Sequence, residues 1–406
     1  MSSLILRSLM SSSAAFMLIG CASAQHSEAP TPQSMNVTGT QGTELTATPL
    51  ETFDSAWAMT FLPDGRALVS EKDGNLWLLD ASGKKLGEIS NVPAVTAMGQ
   101  GGLGDIIIHP DFASNGTVFL SYVERDENDN DLSGAAVERA TLTLTETGGA
   151  LESREVIWRQ TPKVKGNGHY GHRLAIAPDG HLFISSGERQ KFTPAQNMAM
   201  NLGKVIRINQ DGSVPEDNPF YGNGAVADQV WTLGHRNPLG LAFDGKEQLW
   251  VVEMGPKGGD ELNLIVRSEN YGYPEVSEGD HYSGKPIPTH ESNPIFQDPA
   301  ITWSPVISPA GLVFYDGDMF GDWQGNAFIG GLSSQALIRV SFETQPTDNL
   351  GQPPSSGQTE PVAVEAERYE WGKRIREVEQ GPDGALYVLE DKEGGRLIRL
   401  TPAATQ

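Results

Sequence analysis

A single cysteine, Cys21, occurs in the 406 residues. This excludes an intramolecular disulfide and any zinc site built from several thiolates. Basic charge is also scarce: 29 Lys and Arg stand against 52 Asp and Glu, a net charge of −23. A polyanion-binding protein needs a basic footprint that displaces counterions, so nucleic acid is excluded as a partner. The interior holds no apolar run of the ~18 residues a membrane-spanning helix requires, and amphipathic helical segments are few. No phosphate-binding P-loop and no Gly-x-Ser-x-Gly elbow is present, so nucleotide hydrolysis and common serine-esterase chemistry lack their residues. Two partial motifs fail on context. Gly99-Gln100-Gly101-Gly102-Leu103-Gly104 precedes a strand where a dinucleotide fingerprint must open a helix. Asp126-Glu127-Asn128-Asp129-Asn130 begins like a calcium loop but has Asp131 where glycine is needed and Val137 where glutamate belongs.

Residues 1–24 read as a bacterial export signal, with Arg7, the apolar stretch Ala14–Gly20 and then Cys21-Ala22-Ser23-Ala24. Leu18-Ile19-Gly20-Cys21 resembles a lipobox. On that reading Cys21 is acylated, the polar stretch 25–45 is a tether, and the protein is a periplasmic lipoprotein anchored at the outer membrane without a spanning segment. Cleavage after Ala24 instead gives a free periplasmic or secreted protein.

Gly and Pro are abundant, at 46 and 26 residues, and many fall in a repeated unit. A Pro-Asp-Gly turn followed by an alternating strand occurs at Pro63-Asp64-Gly65, Pro178-Asp179-Gly180 and Pro382-Asp383-Gly384. Weaker copies surround Asp111, Asp244 and Asp316. Each interval holds several short strands separated by turn residues. Six units that cannot bury their own faces predict an all-β fold, a six-bladed β-propeller over residues 46–402. A sandwich array or a solenoid is the weaker alternative. A propeller places its ligand site at the channel mouth, among the interblade loops.

Several polar loop segments then become candidates. In Gly168-His169-Tyr170-Gly171-His172-Arg173 the two histidines lack a third ligand for zinc. His169 does lie one strand from Glu188, a carboxylate able to orient an imidazole and raise its basicity, which is the logic of a general base. Gly234-His235-Arg236-Asn237-Pro238 offers a guanidinium fork suited to a carboxylate or a developing anion, or to a structural salt bridge. Arg374 and Arg376 share one strand face at period two. This suits an anionic ligand or a solvated face equally. The glycine-rich acidic stretch from Glu253 to Asn263 carries oxygen ligands for a hard cation, or is a plain acidic turn.

Taken in order, His169-Tyr170-Gly171-His172-Arg173-Leu174, Gly187-Glu188-Arg189-Gln190, Gly234-His235-Arg236-Asn237-Pro238, Gly258-Gly259-Asp260-Glu261-Leu262-Asn263 and Asn270-Tyr271-Gly272-Tyr273-Pro274 resemble the soluble sugar dehydrogenases that use pyrroloquinoline quinone (PQQ). The resemblance runs from about residue 50 to 400. It is greatest to the aldose sugar dehydrogenases of the glucose/sorbosone dehydrogenase family, which are six-bladed propellers. It implies oxidation of aldoses at the anomeric carbon to lactones, with electrons passing to an unidentified acceptor. His169 would be the proton acceptor, with Arg236 and Glu188 beside it. The quinone would be held by Gln100, His169, Arg236, Asn237, Tyr282, Ser308, Pro309, Ala310, Arg374, Ile375 and Arg376. Gly255 and Pro256 would offer carbonyls to a catalytic Ca2+, and Glu261 with Tyr271 would bind a second, structural calcium.

The sequence departs from the pattern in four places. His172 replaces a small residue, which would narrow the sugar site, and Glu188 replaces an Asp of the glucose dehydrogenase branch. Ser308-Pro309-Ala310 replaces an Ala-Pro-Ser segment. Ser333 stands where some members carry a cofactor-binding lysine, leaving the quinone one cation short. A calcium-dependent lactonase would use the same architecture without the arginine cluster, and a non-catalytic binding propeller would need no His169.

Overall fold

The computed structural model describes residues 33–343 and 362–404; the export signal with Cys21 and the first part of the expected tether lie outside them. The strands form six antiparallel blades. Blade 1 runs through Ala56–Phe61, Ala67–Glu71, Leu76–Leu79 and Lys85–Ser90, and blade 2 through Leu103–Ile108, Thr117–Arg125, Leu132–Thr145 and Gly148–Arg159. Blades 3 to 5 begin at Gly171–Ile176, Pro238–Phe243 and Pro309–Phe314. Blade 6 closes the ring: Ile375–Gln380, Leu386–Glu390 and Gly395–Pro402 are completed by Glu44–Phe53 from the other end of the chain. The protein is a six-bladed propeller.

The tether reading to residue 45 needs correction. Met35–Thr38 turns back as a hairpin on Glu44–Phe53, pairing Met35 with Ala47 and Val37 with Leu45. Val37 packs against the core cluster that contains Leu45 and Tyr369, and this burial draws the segment into the sheet. The blade structure therefore starts about ten residues earlier than its repeats suggest.

All six predicted turn aspartates fall in one place, between the first and second strands of their blades. Asp64, Asp179, Asp244 and Asp383 each accept the backbone N–H two residues on, which closes the turn with the side chain. The innermost strands share a second feature. Those of blades 1 to 5 bury their first four residues and leave the last two half-buried, toward the turns. The second strands of blades 1, 3, 4, 5 and 6 are buried throughout, because neighbouring blades cover both faces. The core accordingly lies between blades: Trp57, Leu68, Ile106 and Leu120 join blades 1 and 2, and Phe119, Val137, Ile184 and Ile206 join blades 2 and 3.

Every innermost strand carries a bulge near its entry, the register slipping between Ala56 and Ala58, Leu103 and Ile106, Gly171 and Leu174, Pro238 and Gly240, Ala310 and Leu312, and Ile375 and Glu377. A bulge re-aims side chains out of strict alternation. Here it turns Trp57, His172, Arg173, Leu239 and Arg376 toward the centre of the ring. Arg173 ties four blades together there. Its guanidinium donates to Leu239 O at 2.8 Å, to Asp105 Oδ1 at 3.5 Å, to Glu377 Oε2 and to Arg376 O at 3.4 Å. It also lies 4.1 Å from the Trp57 ring centroid.

Candidate active site

A cavity of about 860 Å³ opens at the end of the ring where the innermost strands begin. The interblade loops supply its wall, as the propeller reading expects. Gln100, His169, Arg236, Gly255, Pro256, Tyr282, Ser308, Arg374 and Arg376 all line it.

His169 is set by the loop before the first strand of blade 3. Its backbone N–H donates to Gln100 Oε1 at 2.6 Å, and its carbonyl accepts the Arg189 N–H at 3.1 Å. The two loops approach so closely that a Cβ on Gly187 would lie 2.2 Å from the His169 carbonyl oxygen, so only glycine fits there. The backbone is strained: His169, Arg189, Gln190 and Phe192 have φ of 50°, 63°, 57° and 64°. Left-handed conformations in non-glycine residues cost of order 1–3 kcal/mol each and gather at functional sites.

Glu188 is buried behind His169. Its Oε1 lies 2.5 Å from His169 Nδ1, and its Oε2 accepts the N–H groups of Lys191 and Phe192. Burial raises the Glu188 carboxyl, but these hydrogen bonds outweigh it and hold the group below the usual carboxylate range. An ionised carboxylate only accepts hydrogen bonds, so Nδ1 carries the proton and Nε2 keeps its lone pair. Burial lowers the His169 pKa below its ordinary 6.5, and Arg236 and Arg189 lower it further against the opposing bond to Glu188. The imidazole is neutral at neutral pH.

Arg236 is buried and has no carboxylate partner among the described residues. It donates to Met254 O at 2.9 Å and to Tyr282 Oη at 3.5 Å, and its Nε has no partner. Its own N–H is held by Glu253 Oε2 at 2.6 Å, while Glu253 Oε1 accepts from His235 Nδ1 at 2.8 Å. On the opposite wall Arg374 and Arg376 converge on Asp391, at 2.7 and 3.2 Å. These arginines are therefore anchored on the wall by Asp391, Arg376 more deeply buried than the partly exposed Arg374. Lys72 stands beside them and donates to Gly99 O at 2.7 Å. With Lys257 and Lys392, six cationic side chains line the cavity against two carboxylates, Asp260 and Asp391.

Four residues expected at the cofactor do not line the cavity. Pro309 and Ala310 are held in the ladder of blade 5, opposite Gly331 and Gly330. The Ile375 side chain belongs to a hydrophobic core cluster. Asn237 is completely buried behind Arg236, with Oδ1 unpartnered. His172 does line the cavity. It stacks on Trp57 at 4.8 Å, and its Nδ1 meets Ser121 Oγ at 2.8 Å. Burial, reinforced by Arg173, Arg189 and Arg376, pushes its pKa down to about 3, so it is a neutral wall residue.

Lys72, Met254, Leu332 and Asp391 were missed from sequence. Each follows the last residue of the second strand in its blade, so aligning the repeats at that strand end would have found them. Asp260 was noted only as part of a motif. It accepts the N–H groups of Gly255, Ile307 and Ser308 at 2.8, 2.7 and 2.6 Å, joining two segments of the wall. Burial pushes its carboxyl up to about 6.

Glu261 and Tyr271 lie away from the cavity. Glu261 is buried, and burial together with Glu253 raises its carboxyl well above the usual range. Asn263 Nδ2 donates to Glu261 Oε2 at 3.2 Å, and Asn263 Oδ1 has no partner. Among the described residues no cluster of three His, Cys, Asp or Glu side chains forms a metal site, and no helix is long and apolar enough to cross a membrane.

The model of the family described as "Glucose / Sorbosone dehydrogenase" matches residues 53–399. The chain belongs to the glucose/sorbosone dehydrogenase family. The aldose sugar dehydrogenase YliI of Escherichia coli is 35% identical over 353 residues, 86% of this chain and 90% of that protein. The crystal structure of the soluble E. coli aldose sugar dehydrogenase in its apo-form is similar with a TM-score of 0.78 and 33% identity, covering 88% of this chain and 99% of that one. The PQQ-bound form of the aldose sugar dehydrogenase from Streptomyces coelicolor gives a TM-score of 0.65 at 27% identity, over 88% of this chain and 98% of that one. As a member of the glucose/sorbosone dehydrogenase family, the protein is a sugar dehydrogenase.

Proposed function

We propose that this chain oxidises aldoses at the anomeric carbon to lactones, with PQQ and calcium as cofactors. One observation carries the reading. In a chain of net charge −23, the central cavity gathers six cations against two carboxylates beside a neutral, oriented histidine. PQQ is a planar tricarboxylate, and the surplus of cations suits it. Arg236 on one side and Lys72, Arg374 and Arg376 on the other would hold it, with Lys72 a candidate for the cation missing at Ser333.

When bound, the quinone supplies a two-electron acceptor for hydride, and calcium a Lewis acid beside it. The chain's own residues do the rest. His169 Nε2 takes the proton of the anomeric hydroxyl as the C1 hydrogen leaves with its electron pair. Glu188 stabilises the imidazolium that forms, and Arg236 offsets negative charge developing in the cavity. Backbone oxygens favour the first calcium at Gly255 and Pro256, since no donor among the described residues caps their carbonyls. At the second locus, the buried Glu261 carboxylate and the unpartnered Asn263 oxygen suit a hard cation. The export signal supports a periplasmic location, anchored or free according to the fate of Cys21.

Addition of PQQ and calcium to the purified protein tests this reading. The quinone absorbance should shift on binding, and sugar should then reduce an artificial acceptor. Lactone hydrolysis without quinone would replace it with the lactonase reading. Arg374→Ala and Arg376→Ala should each raise the PQQ concentration needed for reconstitution, because a ligand carboxylate loses its charge-assisted partner. Reconstitution at the parent's quinone concentration would show that these arginines serve only Asp391. Glu261→Gln should shrink the calcium-dependent rise in melting temperature, since an ion bound only to the folded state stabilises it by mass action. Activity at low temperature should persist. An unchanged calcium shift with lost quinone reduction would mean that the two calcium loci are assigned the wrong way round.

A further inference from the structure

Arg189 follows Glu188 in the chain, yet it does not line the cavity. It is 1% exposed, and among the described residues every hydrogen bond of its guanidinium ends on a neutral oxygen. Nε donates to Gly168 O at 3.0 Å, Nη1 to Ser133 O at 2.6 Å, and Nη2 to Ser133 Oγ at 3.3 Å and to Gly166 O. The guanidinium carbon lies 3.7 Å from the Tyr170 ring centroid. Burial lowers its pKa to about 10, so the group keeps its charge at neutral pH.

These bonds converge on the loop of the base. Gly166 and Gly168 lead into His169, the Arg189 N–H donates to the His169 carbonyl at 3.1 Å, and Ser133 belongs to the third strand of blade 2. A planar guanidinium fork can hold two segments at once. Arg189 therefore fastens the backbone on both sides of the loop that presents His169 to a neighbouring blade, without touching the imidazole.

Its charge has a separate effect. Glu188 favours the imidazolium form of His169, whereas Arg236 and Arg189 oppose it. Across the cavity stand Lys72, Arg374 and Arg376 with Asp391, Tyr170 and His172 follow His169 in the chain, and Tyr273, His281 and Tyr282 border the adjoining space. On the PQQ reading, the carboxylates of the bound quinone would offset Arg236 and the cations across the cavity. Arg189 lies outside the cavity and bonds only neutral oxygens, so its charge would persist in the loaded enzyme.

We propose that Arg189 is a positioning residue for the reaction: it clamps the loop that presents His169, and its charge opposes protonation of that imidazole when the cavity cations are matched by an anionic ligand. The inference rests on the sugar dehydrogenase reading and adds to it what keeps the base ready to accept a proton.

Two variants separate clamp from charge. Arg189→Gln keeps two donors for the buried carbonyls but no charge, and Arg189→Lys keeps the charge but not the fork. In histidine-labelled protein without cofactor, the NMR signal of His169, identified by its loss in His169→Ala, should titrate at higher pH in Arg189→Gln than in the parent. In Arg189→Lys it should titrate where the parent does. The acid limb of kcat/KM in the PQQ- and calcium-loaded enzymes should follow the same order. Plateau kcat should fall in both variants by about ten- to a hundredfold, the scale of a misplacement of up to ~1 Å, while PQQ titrates both as it does the parent. An unmoved His169 titration in Arg189→Gln, or an equal shift in Arg189→Lys, overturns the proposal, as does a parental plateau kcat in both. Should Arg189→Gln fail to fold, Arg189→Lys decides alone: a parental midpoint with reduced kcat supports the proposal, and a shifted midpoint or a parental kcat overturns it. A loaded parent that oxidises no sugar overturns the dehydrogenase reading instead, because the NMR titration is read without cofactor.

Discussion

His169→Ala is expected to lower turnover by about 10²- to 10⁴-fold, the usual worth of a general base, while PQQ titrates the variant as it does the parent. On the proposed reading the two outcomes separate, because His169 would meet the anomeric proton through Nε2, whereas the cofactor's carboxylates would face the arginines and Lys72. The pH profile provides the control. Because burial, Arg236 and Arg189 lower the His169 pKa, the acid limb of kcat/KM should lie below the ordinary histidine value of about 6.5. Glu188→Gln should move it lower still by removing the carboxylate that favours the imidazolium. Turnover in His169→Ala near the parent's, or an acid limb unmoved in Glu188→Gln, would remove this pair from the proton transfer.

Arg173→Met should be the most destabilising single change in the ring. Arg173 is 5% exposed and is the cation between Asp105 and Glu377, and removing one partner of a buried pair costs about 3–5 kcal/mol. The loss should depend on pH in a defined direction. Burial, against the pull of Arg173, already pushes Glu377 up to about 7. Between its ordinary 4.5 and 7 the folded chain therefore holds a proton that the unfolded chain has released. This group's contribution to stability falls as pH rises through that window. Without Arg173 the carboxyls rise further and the window extends upward. Denaturant unfolding should thus show a deficit that is small near pH 5 and largest near pH 8. An equal deficit at both pH values would mean that the guanidinium acts through packing on Trp57 rather than through charge.

Blade count and turn position were readable from the chain. The Pro-Asp-Gly turns are local: an aspartate side chain closes its own turn, and the strand that follows alternates as any half-buried strand does. His169, Glu188 and Arg236 were also accessible, because each sits in a loop with strong local composition. Two expectations differ from what the structure shows. The resemblance placed Ile375 at the cofactor with its two neighbouring arginines; those arginines line the cavity, while the Ile375 side chain lies in the core. Met35–Thr38 looked like tether because it is polar and short, yet it needs only one partner, Glu44–Phe53, to become a strand.

By itself the sequence determined the number of repeating units, the side-chain-closed turns and the order of the loops that carry chemistry, since these depend on neighbours a few residues apart. Tertiary structure alone decided which charges face one another. Lys72, Arg236, Arg374 and Asp391 come from three different blades, and a bulge at the entry of every innermost strand aims residues such as Arg173 and Arg376 inward against simple alternation. Ring closure between Glu44–Phe53 and Gly395–Pro402 then brings Lys72 beside Arg376. No local pattern encodes that meeting, because it exists only once six blades have packed face to face.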